Sequence, residues 1–177
     1  IGGKETLDSR GSIPESAWVL SAGAFDKGLP PLELVIGFKQ GIPVSIDGEN
    51  LDPVTLIERL EGIGGKYAIG RGIHVGDTVL GTKGRVAFEA PAAEILLNAH
   101  RELEKLTLSA LQSRVKDSIA NTYGDFVHEG KQLDPACRDI EALLVSSQQR
   151  VTGEVTLTLR PGNAFVAGVQ SSWSLMA

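Results

Sequence analysis

An α+β fold, with β-hairpins at both ends, a mixed or antiparallel sheet and three to four helices in the middle, is predicted from three observations. Apolar residues alternate with polar or small ones in two stretches, Leu34 to Ile46 and Val151 to Val169. Between them, leucine, isoleucine and valine recur at helical spacing. Asp52-Pro53 and Asp134-Pro135 each place a capping carboxylate before a proline at the first helical position, which marks helix starts.

Residues 1–32 carry many Gly, Ser and Pro without a sustained period, and read as an extended or loop-like lead-in. Residues 33–177 read as the folded domain proper. Leu34, Ile36 and Phe38, then Ile42, Val44 and Ile46, form the first hairpin around Gln40-Gly41, where glycine accepts the positive φ of a tight turn. Asp52 caps a helix with Val54, Ile57, Leu60 and Ile63 on one face, stopped by Gly62, Gly64 and Gly65. Strands are expected over His74 to Leu80 and Arg85 to Phe88. Pro91 opens a helix that buries Leu96, Ala99, Leu103 and Leu106 and turns Arg101, Glu102, Glu104 and Lys105 to water. Ser109 caps the next helix, with a stripe of Leu111, Val115, Ile119, Tyr123 and Phe126 or Val127 suited to scaffold or subunit contact. Pro135 to about Gln149 turns Ile140, Leu143 and Leu144 inward. The last hairpin bends at Pro161-Gly162-Asn163.

With 177 residues the chain is long enough for a genuine core. A net charge of −5 and a pI near 5.2 disfavour nucleic acid and anionic membranes as partners. No apolar run approaches the roughly 18 residues of a membrane span, and no leader pattern is visible. Opening on Ile1, the sequence reads as a piece of a longer protein. The single cysteine, Cys137, precludes an internal disulfide and fits a reducing, cytoplasmic setting, where it fills space near the core. His74, His100 and His128 are too far apart for a local zinc motif, so no metal is expected. Neither Gly2-Gly3-Lys4-Glu5-Thr6 nor Gly64-Gly65-Lys66 has the spacing of a phosphate loop.

The stretch most suited to function runs from Gly70 to Pro91, GRGIHVGDTVLGTKGRVAFEAP. Five glycines at 70, 72, 76, 81 and 84 permit turns or close ligand approach, and Arg71, His74, Asp77, Lys83, Arg85 and Glu89 supply charge or an imidazole. The same glycines equally suit turns and bulges between strands.

Five segments in order resemble the C-terminal part of the argininosuccinate synthases: FKQGIPVSIDGE, PVTLIERLEGIGGKYAIGR, VLGTKGRVAFEAP, ILLNAHRELEKLTL and SSQQRVTGEVTLTL. The resemblance implies an ATP-dependent C–N ligase of arginine biosynthesis. ATP, with Mg as its counter-ion, adenylates the ureido oxygen of citrulline, and the aspartate amine then displaces AMP. The family's pyrophosphate loop, SGG-x-D-[TS], is absent from this chain. The resemblance therefore implies a domain that closes over citrulline and builds a homotetramer, inactive alone and joined through its lead-in to a separate ATP-binding domain.

In the family the central stretch resembles VENRxxGxKSRGxYE, whose Glu and Tyr bind the amino-acid end of citrulline. Aligned on Gly81, Lys83 and Arg85, the chain has Gly76 at the Glu and Phe88 at the Tyr. Losing a carboxylate that would pair with an α-ammonium fits a substrate lacking that charge, such as N-acetyl- or N-succinylcitrulline. Gly76 leaves room for the acyl group. The lead-in IGGKET resembles a subgroup form and offers Lys4 and Thr6 to the same pocket, Lys4 for an acyl carboxylate. His74 and Asp77 are further candidate lining residues. Lys83, Arg85 and Glu89 match the family pattern, and Lys83 and Arg85 are assigned to shaping the loop. Two other readings stand beside this one: a non-catalytic assembly or regulatory module, and a ligase for free citrulline whose amine is held by Glu5 or Asp77.

Overall fold

The computed structural model describes residues 4–176 and, at Glu5, the backbone alone. Ile1 to Gly3 lie outside the described residues, and with them the Gly2-Gly3 pair considered above. Five antiparallel strands, β1 (Leu32–Lys39), β2 (Ile42–Ile46), β3 (Glu49–Asn50), β6 (Gly153–Arg160) and β7 (Asn163–Gln170), form a sheet in the order β3-β2-β1-β6-β7. A separate two-stranded ribbon joins β4 (Arg71–Asp77) to β5 (Lys83–Glu89). The helices are a single turn α1 (Lys4–Leu7), then α2 (Pro53–Lys66), α3 (Pro91–Thr107), α4 (Ala110–His128) and α5 (Pro135–Gln148).

The sheet forms where alternation is cleanest. Val155, Leu157 and Leu159 of β6 face Ile36, Leu34 and Leu32 of β1, and the first two pairs are wholly buried. Gln40 and Gly41 both take positive φ, the geometry of a type I′ turn. Asp47 and Gly48 repeat it, adding the short β3. The core fills the space between this sheet and the facing sides of α2 and α3, with Leu56, Leu60, Ile95, Ala99 and Leu103 at its centre.

Several expectations are corrected. Helix α2 runs through Gly62, Gly64 and Gly65 instead of stopping there. The last two glycines are packing residues: a Cβ on Gly64 would lie 2.8 Å from Cβ of Pro91, and one on Gly65 would lie 2.9 Å from the Leu20 carbonyl oxygen. Its buried face is Leu56, Leu60 and Gly64, so Val54 and Ile57 are exposed. Strand β4 begins at Arg71 and ends at Asp77, leaving Val79 and Leu80 fully exposed at the ribbon tip. Glu104 does not face water; it is buried and ion-paired.

The α4–α5 pair departs furthest from the expected core. Asp134 and a Ser109–Gln112 capping box start these helices as their sequences require. Yet no residue of α4 is buried, and α5 buries Cys137 alone. Leu111, Val115 and Val127 of the anticipated stripe are exposed, as is Leu143 on α5. Ile119, Tyr123, Phe126, Ile140 and Leu144 are half-buried. The pair is an arm, joined to the body through a polar cluster described below.

Candidate functional site

The ribbon β4–β5 has two unlike faces, because side chains alternate along each strand. Cross-strand pairs run from Arg71 opposite Glu89 to Asp77 opposite Lys83 without a bulge. One face therefore carries Arg71, Ile73, Val75 and Asp77 with Lys83, Arg85, Ala87 and Glu89. The other carries Gly72, His74 and Gly76 with Gly84, Val86 and Phe88.

The lead-in is fastened across the β5 half of the first face. Ala87 is fully buried against Ile13 and Trp18 in a small second core. Arg85 donates to the carbonyls of Asp8 and of Gly11, the latter at 2.9 Å. Glu89 accepts from the backbone amides of Val19, Leu20 and Ser21 at 2.7, 3.0 and 2.9 Å, and from the Ser21 hydroxyl at 2.5 Å. Arg71 forms a two-pronged pair with Glu15, both contacts 2.7 Å, donates to the Ser21 hydroxyl and carbonyl, and stacks its guanidinium over the Trp18 and Phe25 rings, 4.8 and 5.0 Å from their centroids. Burial pushes the Glu89 carboxyl up, but the hydrogen bonds from Ser21, Leu20 and Val19 outweigh it and hold its pKa below the usual carboxylate range.

The opposite face is open and, among the described residues, holds no carboxylate. The Phe88 ring, 44% exposed, covers Gly72, where a Cβ would lie 2.3 Å from Cζ of that ring. The His74 imidazole leans over Gly76, where a Cβ would lie 2.6 Å from Nε2. Gly76 and Gly84 are directly opposed, leaving main chain alone as the floor beside the imidazole.

Of the residues anticipated from sequence, His74, Gly76 and Phe88 thus share the open face. Asp77 is on the other face in an exposed ion pair with Lys83, 2.5 Å. Arg85 is committed to the lead-in. Thr6 is buried and Lys4 exposed on α1, which packs against β5. The side chain of Glu5 lies outside the described residues.

The ribbon does not fit a phosphate cradle. Its glycines belong to a regular ladder, and at the tip the amides of Thr78 and Gly81 are spent on the carbonyls of Thr82 and Thr78. Among the described residues no cluster of His, Cys, Asp or Glu is placed to hold a metal, and no helix is long and apolar enough to cross a membrane.

The family model for the arginosuccinate synthase C-terminal domain matches residues 5–177. The chain belongs to the argininosuccinate synthase family. It is 42% identical over 158 residues to the argininosuccinate synthase of Microcystis aeruginosa, covering 89% of this chain and 39% of that protein. The argininosuccinate synthase of Xanthomonas campestris pv. campestris is 40% identical, with 93% of this chain and 39% of that protein covered. That of Methanocaldococcus jannaschii is 40% identical, with 79% and 35% covered. The chain spans about two fifths of the length of the first two.

Within this family member, the tie between Glu89, Arg71 and the lead-in carried no signal in the sequence. Glu89 was visible as a match to the family pattern, but its partners are some 70 residues away and carry no local signal. Glu89→Ala is expected to cost about 2 kcal/mol, as loss of hydrogen bonds to a charged group. Because the folded pKa is depressed, this contribution is present above the unfolded carboxyl value of 4.5 and lost as pH falls through the folded one. Trp18 fluorescence should report lead-in release below about pH 4.5 in the parent chain. A Glu89→Gln variant with the same acid step would assign it elsewhere.

Proposed function

We propose that this chain is the C-terminal domain of an ATP-dependent C–N ligase of arginine biosynthesis, acting in the cytoplasm. It closes over the ureido substrate, while ATP is bound by a domain outside residues 1–177 to which residues 1–32 lead. On this reading the domain is inactive alone. The overall reaction joins an N-acylated citrulline to aspartate, converts ATP to AMP and pyrophosphate, and yields the N-acyl form of argininosuccinate.

The observation that carries the reading is an open ribbon face without a carboxylate among the described residues, in a chain matching the family over residues 5–177. An α-ammonium placed at Gly76 would meet the His74 imidazole and main chain and lose hydration without a counter-charge, while the Phe88 ring lies further along the ribbon, over Gly72. An amide carries no charge and bears no such penalty. Asp77, paired with Lys83 on the other face, is a poor substitute for the family carboxylate. A homotetramer is proposed as the assembly, supported by the exposed Leu111, Val115 and Val127 on the arm. Those same residues favour a second reading, an assembly or regulatory module without catalysis.

The full-length protein should be assayed with ATP and aspartate against citrulline, N-acetylcitrulline and N-succinylcitrulline. An acylated substrate is expected to win by about a hundredfold in kcat/KM, equivalent to about 2.7 kcal/mol. Preference for free citrulline would refute the acyl reading, and no turnover with any of the three would favour the assembly module.

A further inference from the structure

The room expected above Gly76 for an acyl group is instead occupied by one side chain of the open face, the His74 imidazole. We infer that His74 is the specificity-determining residue for the acylated α-nitrogen, making its hydrogen bond to the amide that replaces the ammonium. This rests on the acyl-substrate reading and names the group that executes it.

His74 and Gly76 are two apart on β4 and so share a face, and Nε2 lies 2.6 Å from where a Cβ on residue 76 would be. Any side chain at 76 competes with the imidazole for the same volume. Gly84, opposite Gly76, adds no side chain, and a Cβ there would meet the Thr78 methyl at 3.0 Å. The position therefore presents an imidazole edge above the half-buried main chain of Gly76 and Gly84. Among the described residues the imidazole has no hydrogen bond or ion pair with protein, so both ring nitrogens are available to a ligand.

The chemistry matches. A neutral imidazole offers one donor and one acceptor, and a secondary amide offers one N–H and one carbonyl. An α-ammonium offers donors and a positive charge but no acceptor, so half of the imidazole's capacity is wasted and the charge is uncompensated. A carboxylate at 76 suits the ammonium; an imidazole above a glycine suits the amide.

The test uses the full-length protein and compares kcat/KM for N-acetylcitrulline, N-succinylcitrulline and citrulline in the parent, His74→Ala, His74→Gln and Gly76→Ala. The parent decides the acyl reading by itself: if it prefers free citrulline, that reading and this inference fail together. If the parent prefers an acylated substrate, His74→Ala is expected to reduce that preference about tenfold, through KM with kcat within about twofold. His74→Gln, which restores a donor and an acceptor, should recover most of it. Gly76→Ala should reproduce His74→Ala by displacing the ring, and the double variant should be no worse than either single one. Thermal melts should leave His74→Ala and His74→Gln close to the parent, since the residue is exposed. An acyl preference unchanged in both His74→Ala and Gly76→Ala would overturn the assignment, as would equal loss in His74→Ala and His74→Gln.

Discussion

Gly70→Ala is expected to destabilise the domain by about 4 kcal/mol, the sum of a backbone conformation unfavourable to L-residues and a steric conflict with main chain. Gly70 takes a φ of 76° at the root of the ribbon. A Cβ there would lie 2.4 Å from the carbonyl oxygen of Ala90, 2.5 Å from its carbon and 2.7 Å from the nitrogen of Pro91. Each of these is a backbone atom, so no rotamer change relieves the contact. The approach is itself functional in the fold: the Ala90 amide donates to the Gly70 carbonyl at 2.9 Å, closing the ribbon just before α3 begins. Moving Ala90 would also shift Pro91, which already abuts Gly64 of α2. The control is Gly81→Ala at the ribbon tip, where φ is 77° but nothing lies within 4 Å of the added carbon. That variant should cost only about 1–2 kcal/mol, the strain alone. Urea denaturation of both separates the terms, and equal losses would show that the approach to Ala90 is not rigid.

The two glycines also mark how far sequence could take the reading. Strands β1, β2, β6 and β7 were legible because the packing of one sheet face imposes a period of two over many residues. Capping residues at 52, 109 and 134 located helix starts because their hydrogen bonds are local. Gly64 and Gly65 were misread as terminators, since a glycine that lets two elements approach is indistinguishable in sequence from one that ends a helix. Glu104 was misread as solvated for a related reason: its partners come from α4 and α5. At the candidate site, the glycine and phenylalanine substitutions were legible as departures from a family pattern. That His74, Gly76 and Phe88 share one face, while Asp77, Lys83 and Arg85 occupy the other, required the register of the ribbon.

Glu104→Ala is expected to cost about 3 kcal/mol and to loosen the arm selectively, because it leaves a lysine in a half-buried setting without its counter-charge. The Glu104 carboxylate, in a residue only 7% exposed, accepts from Lys116 of α4 at 2.7–2.8 Å and from Nε2 of Gln148 on α5 at 2.7 Å. Gln148 in turn bonds Nε2 of His100 at 2.9 Å. The cluster ties α3 to both arm helices where few apolar contacts do so, since the main core contains no residue between Ala110 and Gln148. Hydrogen exchange should therefore quicken through α4 and α5 and remain unchanged in β6. Replacing the pair together, Glu104→Leu with Lys116→Met, should recover part of the loss by removing both charges. The acid response supplies an independent check. Burial pushes the His100 pKa down, Glu104 and Gln148 pull it up, and Lys116 adds to the lowering. With a net depression, stability is full above the unfolded value of 6.5 and falls as pH drops towards the folded one. Removing Glu104 deletes the larger upward pull, so the depression deepens and the acid loss extends to lower pH. Uniform exchange across arm and sheet, or an unaltered acid profile in Glu104→Ala, would mean that the arm is held by something other than this cluster.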